Sequence, residues 1–122
     1  MWTGHVEPDP SAVSSLRTSV RTYLESNGVR AELENALVVF SEIVTNAVRH
    51  GRPPVKATVF IADNSIHIEV DDEGATPPVV RPRDPSRIGG NGMLLVEAFS
   101  QRWGTRQEPG DGKTVWADVA CG

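Results

Sequence analysis

The sequence predicts an α/β (α+β) two-layer sandwich, a mostly antiparallel sheet with its helices on one face. Three observations carry this expectation. Two apolar runs at helical spacing follow one another before residue 51, the period then switches from 3.6 to 2 at residue 55, and the alternating segments are joined by turn residues too few for a crossover. Strands joined by tight turns pair antiparallel, and helices grouped together in the chain cover one side of such a sheet.

Each element has its own signal. Residues 8–11, Pro-Asp-Pro-Ser, read as a helix entrance, after which Val13, Leu16, Val20 and Leu24 recur at helical spacing until Asn27-Gly28. A second helix begins near Arg30 and carries Leu33, Ala36, Leu37, Phe40, Val44 and Ala47 on one stripe. His50-Gly51 ends it, and Pro53 and Pro54 prevent its continuation. Val55, Ala57, Val59 and Ile61 then alternate with polar or outward positions, Asp63-Asn64-Ser65 supplies a turn, and Ile66, Ile68 and Val70 alternate with His67 and Glu69. From Glu73 to Gly92 four prolines, three arginines and four glycines show no periodicity, which is a long loop for a small domain and therefore a candidate for function. A short apolar helix over 93–99, a strand over 101–107, the turn Pro109-Gly110-Asp111-Gly112 and a final strand from Thr114 to Val119 complete the order. Trp116, in that alternating strand, is expected in the core.

Composition narrows the class. The 122 residues suit one domain, 1–122, with a leader over about residues 1–8, and 39% hydrophobic with 23% charged residues is ordinary for a soluble globular chain. A formal charge of −4 lacks the broad positive field that binds phosphate backbones, so no direct nucleic-acid partner is expected. The lone Cys121 cannot form an intrachain disulfide. No basic and apolar signal-peptide regions open the chain, and no apolar run approaches the roughly 18 residues of a membrane span. The expected setting is cytoplasmic, without a membrane partner.

Four segments carry candidate chemistry. Glu42 and Asn46 lie one turn apart on the second helix, on the side away from its main apolar stripe. An asparagine carbonyl can ligate Mg²⁺, and a glutamate can take a proton from a hydroxyl. The same pair also suits a plain solvated face, but the neighbouring Val39 and Ile43 make that side less than uniformly polar. Asp72 shares parity with Ile66, Ile68 and Val70, so it points to the apolar face, where a carboxylate needs a donor such as the amine of adenine. Gly74 would let backbone approach a flat ring closely, although Asp71-Asp72-Glu73-Gly74 also reads as an acidic strand end entering a turn. Gly89-Gly90-Asn91-Gly92 leads directly into Met93, a glycine turn at a helix start that suits phosphate, or alternatively a plain cap by Asn91. Gly112-Lys113-Thr114 opens the last strand, where Thr114 can place a hydroxyl near a pocket.

In order, Ser41-Glu42-Ile43-Val44-Thr45-Asn46-Ala47-Val48-Arg49-His50-Gly51, Asp72-Glu73-Gly74 with Pro77, Gly90-Asn91-Gly92-Met93 and Gly112-Lys113-Thr114 resemble the N, G1, G2 and G3 boxes of the GHKL ATPases. The short chain resembles their anti-sigma-factor serine kinase branch over about residues 8–119. The resemblance implies a Bergerat-type ATP-binding fold, ATP and Mg²⁺ as ligands, and assembly as a homodimer. It implies Asn46 as the Mg²⁺ ligand, Glu42 as general base, Asp72 on the adenine amine, Gly74 beside the base, Gly90, Gly92 and Met93 in the lid and phosphate turn, and Thr114 completing the adenine contacts. It further implies transfer of phosphate to a serine of an anti-sigma-factor antagonist protein and binding of a sigma factor. The alternative is a non-catalytic ATP-binding module that holds a protein partner. The chain departs from the pattern in a short lid, roughly 75–89, and in Ile88 where such kinases often carry a phosphate-contacting arginine, with Arg87 displaced by one.

Overall fold

The computed structural model describes residues 1–7, 9, 11–74, 77–80, 92–110 and 112–121. Its elements follow the order β1 (Trp2–Val6), α1 (Ser11–Ser26), α2 (Leu33–His50), β2 (Val55–Ala62), β3 (Ser65–Asp72), α3 (Gly92–Phe99), β4 (Arg102–Gln107) and β5 (Lys113–Ala120). The five strands form one antiparallel sheet in the order β1-β2-β3-β5-β4.

One element departs from the sequence expectation at once. Residues 2–6, read as part of a leader, form the edge strand β1, paired with β2 from Trp2↔Val59 to Val6↔Val55. Only Val6 is a fully buried apolar residue there, and Gly4 lies under the Trp2 ring, so the alternation that marks a strand is weak in this segment. Tertiary contacts supply what the pattern lacks: the Trp2 indole donates to Ser19 Oγ on α1 at 2.9 Å and meets Phe40 of α2 edge-on at 5.6 Å.

Local chemistry explains the remaining boundaries. Asp9 receives the Ser11 N–H at 3.0 Å at the entrance to α1, and this backbone hydrogen bond lowers the pKa of its carboxyl. At the other end Gly28 adopts φ +83° while the Val29 N–H returns to the Leu24 carbonyl at 3.0 Å, satisfying the terminal carbonyls. The β2–β3 turn places Asp63 and Asn64 at φ 52° and 61°, the left-handed pair that joins two twisted strands with two residues. Gly51 closes α2 by donating its N–H to the Ala47 carbonyl at 2.9 Å.

The core lies between the sheet and the helices. Val59, Ile66, Ile68, Val70, Ala117 and Val119 present one face of the sheet to Val20, Leu24, Leu37, Phe40 and Val44. Val39 and Ile43 are equally buried, at 0% and 1% exposure, although they lie off the main stripe of α2. The reason is α3, which packs against the second side of α2 through Met93 and Val96. The other face of the sheet carries polar residues and Trp116. That tryptophan, expected in the core, is half-buried there and stacks on His67 at 6.2 Å. Its parity is that of Thr114 and Asp118, opposite to Val115, Ala117 and Val119, and Gly104 on β4 leaves room for its ring.

Candidate functional site

A cleft of about 270 Å³ opens between the outer side of α2, the end of β3, the start of β5, the start of α3 and residues 77–79. Glu42 and Asn46 line one wall, Asp72 and Lys113 the opposite side, and Gly92 and Met93 the α3 end. The helical spacing of Glu42 and Asn46 and the strand parity of Asp72 thus bring residues far apart in sequence to one cavity. Arg49, three residues after Asn46, continues the same wall and is exposed.

Asp72 is the most constrained of these groups. It is 3% exposed, and its Oδ1 accepts hydrogen bonds from the Gly74 N–H at 2.6 Å, the Lys113 ammonium at 2.9 Å and the Arg52 N–H at 3.3 Å. Lys113 Nζ also stands 2.9 Å from Oδ2, yet that oxygen has no hydrogen-bond partner among the described residues. Ion-pair attraction therefore acts on both oxygens while directional bonding saturates one. A buried carboxylate is costly unless paired, and the Lys113 ammonium beside both oxygens supplies that pairing here. Gly74 reaches the site through its N–H on Asp72 and not by lining the cavity itself.

Glycine has a structural reason at the α3 end as well. A side chain at position 92 would collide with Glu42 Oε2, so the helix start and the glutamate carboxylate approach closely only because residue 92 has none. The unpaired N–H groups of a first helical turn favour negative charge, which suits Glu42 there. Met93, 5% exposed, closes the cavity with an apolar wall.

One sequence expectation ends differently. Thr114 does not face the cleft. Its hydroxyl lies on the other side of the sheet, with Asp71 Oδ1 at 2.5 Å and Glu108 Oε1 at 2.7 Å as the two acceptors within reach of its single proton. The cause is strand parity: Thr114 is paired with Asp71, and the residue opposite Asp72 is Lys113. Lys113 is the functional candidate that the sequence reading missed, and the signal was present, because Lys113 shares parity with Val115, Ala117 and Val119. Gly90, with Arg87 and Ile88, lies outside the described residues.

Comparison with known proteins agrees with this architecture. The family of the histidine kinase-like ATPase domain matches residues 6–118. The anti-sigma F factor of Geobacillus stearothermophilus is 31% identical, over 73% of this chain and 70% of that protein. Among solved structures, the fold is similar to the Acinetobacter baumannii histidine kinase AdeS, with TM-score 0.55 and 12% identity over 99% of this chain and 68% of that one. It is also similar to a histidine kinase domain from the Erythrobacter litoralis EL346 blue-light activated histidine kinase, with TM-score 0.53 and 16% identity over 92% of this chain and 60% of that one. Among the described residues, no helix is long and apolar enough to cross a membrane. With three of its five strands, most of β5, all three helices and the acid at the end of β3 inside the matched span, the chain belongs to the histidine kinase-like ATPase domain family, in the GHKL anti-sigma-factor kinase group.

Proposed function

We propose that this protein binds MgATP in the cleft and transfers its terminal phosphoryl group to a serine or threonine hydroxyl of a protein partner. The observation that supports this most directly is Asp72, a buried carboxylate whose Oδ2 has no hydrogen bond among the described residues, in the cavity that Glu42 and Asn46 also line. An exocyclic amine donates to such an oxygen, and Gly74 N–H, Lys113 and Arg52 N–H keep the carboxylate aimed. Asn46 offers a neutral oxygen one turn from the Glu42 carboxylate, a donor set suited to Mg²⁺, which takes few protein ligands and completes its shell with phosphate oxygens and water. Bound there, Mg²⁺ would offset the negative charge of the phosphates.

Glu42 is the general base of this reading. It would accept the proton of the attacking hydroxyl as the new phosphate ester bond forms and ADP departs. Gly90, Gly92 and Met93 belong to the phosphate turn in the same reading, and the chain works in the cytoplasm as an anti-sigma-factor regulator. Its proposed partners are a sigma factor, an antagonist protein that receives the phosphate and a second copy of the chain. The relative's description as an anti-sigma F factor supports the first of these. A second reading, an ATP-binding module without transfer, draws support from Ile88 in place of the phosphate-contacting arginine.

The experiment pairs nucleotide affinity with transfer from labelled ATP to candidate antagonist proteins. Asp72→Asn is expected to lower ATP affinity by about tenfold to a hundredfold with or without Mg²⁺, since the amide presents donors where an acceptor is needed. Asn46→Ala should lose mainly the Mg²⁺-dependent part, and Glu42→Ala should bind ATP yet abolish transfer. Unchanged affinity in both Asp72→Asn and Asn46→Ala refutes the site, and wild-type binding without transfer to any partner favours the module.

A further inference from the structure

The acid of the cleft is covered by a side chain of the same molecule. Lys113 Nζ stands 2.9 Å from each Asp72 oxygen and 3.2 Å from the Gly74 carbonyl, and Lys113 and Asp72 are both buried. Asp72 Oδ2 is buried with that ammonium beside it, so a ligand in the cleft does not reach it while the pair is intact. The two partners are held unequally. The Gly74 and Arg52 N–H groups fix the carboxylate at 2.6 and 3.3 Å, whereas the ammonium sits on a flexible four-carbon stem and is held by Asp72 and one carbonyl. Of the two, Lys113 is the group that can withdraw.

Lys113 also lines a second cavity, of about 360 Å³, among Glu69, Asp71, Glu73, Arg106 and Glu108. Three of these four acids are engaged: Glu69 with His67, Asp71 with Thr114 and Glu108 with Arg106. Glu73 is exposed, and its carboxylate has no hydrogen bond or ion pair among the described residues. Its Oε2 would lie 3.4 Å from a Cβ on Gly112, the residue just before Lys113. A ligand that uses Asp72 must free the ammonium, and a charge leaving a buried pair needs another partner. We propose that Lys113 is a gate: in the empty protein its ammonium occupies Asp72, and on nucleotide binding it withdraws from the cleft to Glu73 in the neighbouring cavity. This rests on the nucleotide reading above and assigns the regulation of that site, since breaking the Lys113–Asp72 pair works against the affinity of every ligand that uses the acid.

The sequence holds two lysines, Lys56 and Lys113, and Lys56 is exposed. Reductive methylation of the full chain, read peptide by peptide in a mass spectrometer, therefore reports on Lys113 with Lys56 as the internal reference. Lys56 should react with or without ADP, while Lys113 should be protected in the empty protein and lose that protection at saturating ADP. Protection that persists or deepens while calorimetry shows ADP bound overturns the proposal, and this arm needs no variant to fold. Calorimetric titration of variants supplies a second readout. Lys113→Met should bind ADP at least about threefold more tightly, because no pair has to break, and Glu73→Gln about threefold more weakly, the scale of one partly exposed ion pair. Glu73→Gln should have no effect once residue 113 is Met. Circular dichroism checks folding. A folded Lys113→Met that binds ADP more weakly than wild type also overturns the gate, as does a Glu73→Gln effect that is unchanged in the double variant. Failure of ADP to bind the wild type would instead overturn the nucleotide reading on which the gate stands, so the two failures are distinct.

Discussion

Gly51 stands where a side chain has no space. A Cβ there would lie 2.6 Å from the Ala47 carbonyl oxygen and 2.6 Å from Cγ of Asp72, so the end of α2 and the acid at the end of β3 approach each other only across a glycine. The backbone oxygen cannot turn aside as a flexible side chain would. Gly51→Ala is therefore expected to cost roughly 1–3 kcal/mol of stability and to weaken nucleotide binding by displacing Asp72. Gly28→Ala is the contrast: its φ of +83° strains a side chain by about 1–2 kcal/mol, but no atom lies within 4 Å of the added carbon and the cleft is distant. Urea denaturation with ADP titration checks both, and equal loss of affinity in the two variants would contradict the assigned role of Gly51. At this scale Glu42, Asn46 and Asp72 were legible in the sequence, because helical and strand periods state which side chains share a face. The same rule places Thr114 outside the cleft, since the apolar residues of β5 set Lys113, not Thr114, on the inner face.

Among the elements, α2 does the most to build the site. Its main stripe packs on the sheet, while Val39 and Ile43 are buried beneath α3, which leaves Glu42, Asn46 and Arg49 along the seam that becomes the cleft. A helix buried on two sides has little freedom to shift, and its polar groups are correspondingly well placed. Ile43→Ala should destabilise the protein by about 2–4 kcal/mol, the range for a large-to-small change in a closed core. It removes side-chain packing beside the cleft, so ADP affinity should fall as well. Thermal denaturation and titration measure the two effects, and a stability change below about 0.5 kcal/mol would show that α3 does not seal this side. The two apolar residues were visible beside Glu42 and Asn46, but their partner was not, because the sequence does not say against which element a helix leans. β1 was missed for a related reason: its Trp2 and Gly4 make sense only with Ser19, Leu16 and Phe40 packed on them.

Across the whole molecule, the sheet divides apolar packing from a charged network on its uncovered face. His67 places Nδ1 2.5 Å from Asp118 Oδ1 and Nε2 2.9 Å from Glu69 Oε1, and Arg102 donates to Asp118 Oδ2 at 2.7 Å, linking β3, β4 and β5. Burial opposes ionisation of Asp118, but the hydrogen bonds from His67 and Arg102 outweigh it and hold its pKa below the ordinary carboxylate value. A lowered folded pKa means that the carboxylate's contribution is fully present above the unfolded value near pH 4 and is lost as the pH falls through the folded value beneath it. Asp118→Asn is accordingly expected to be less stable than wild type by about 2 kcal/mol near neutral pH, with the gap narrowing from about pH 4 downward. Urea midpoints across that range test the claim, and a gap that stays constant down to about pH 2 would exclude Asp118 ionisation as its source.

The sequence by itself determined the alternation of helix and strand, the antiparallel pairing, the inward face of β3 and the segments that carry polar chemistry, because these follow from local periods and turn residues. Tertiary structure decided that residues 2–6 complete the sheet, that α3 covers the side of α2 bearing Val39 and Ile43, and that Asp72 meets Lys113. Those outcomes depend on register between strands distant in the chain and on which helix covers which surface. Such contacts are made in space, and spacing along one segment does not encode them.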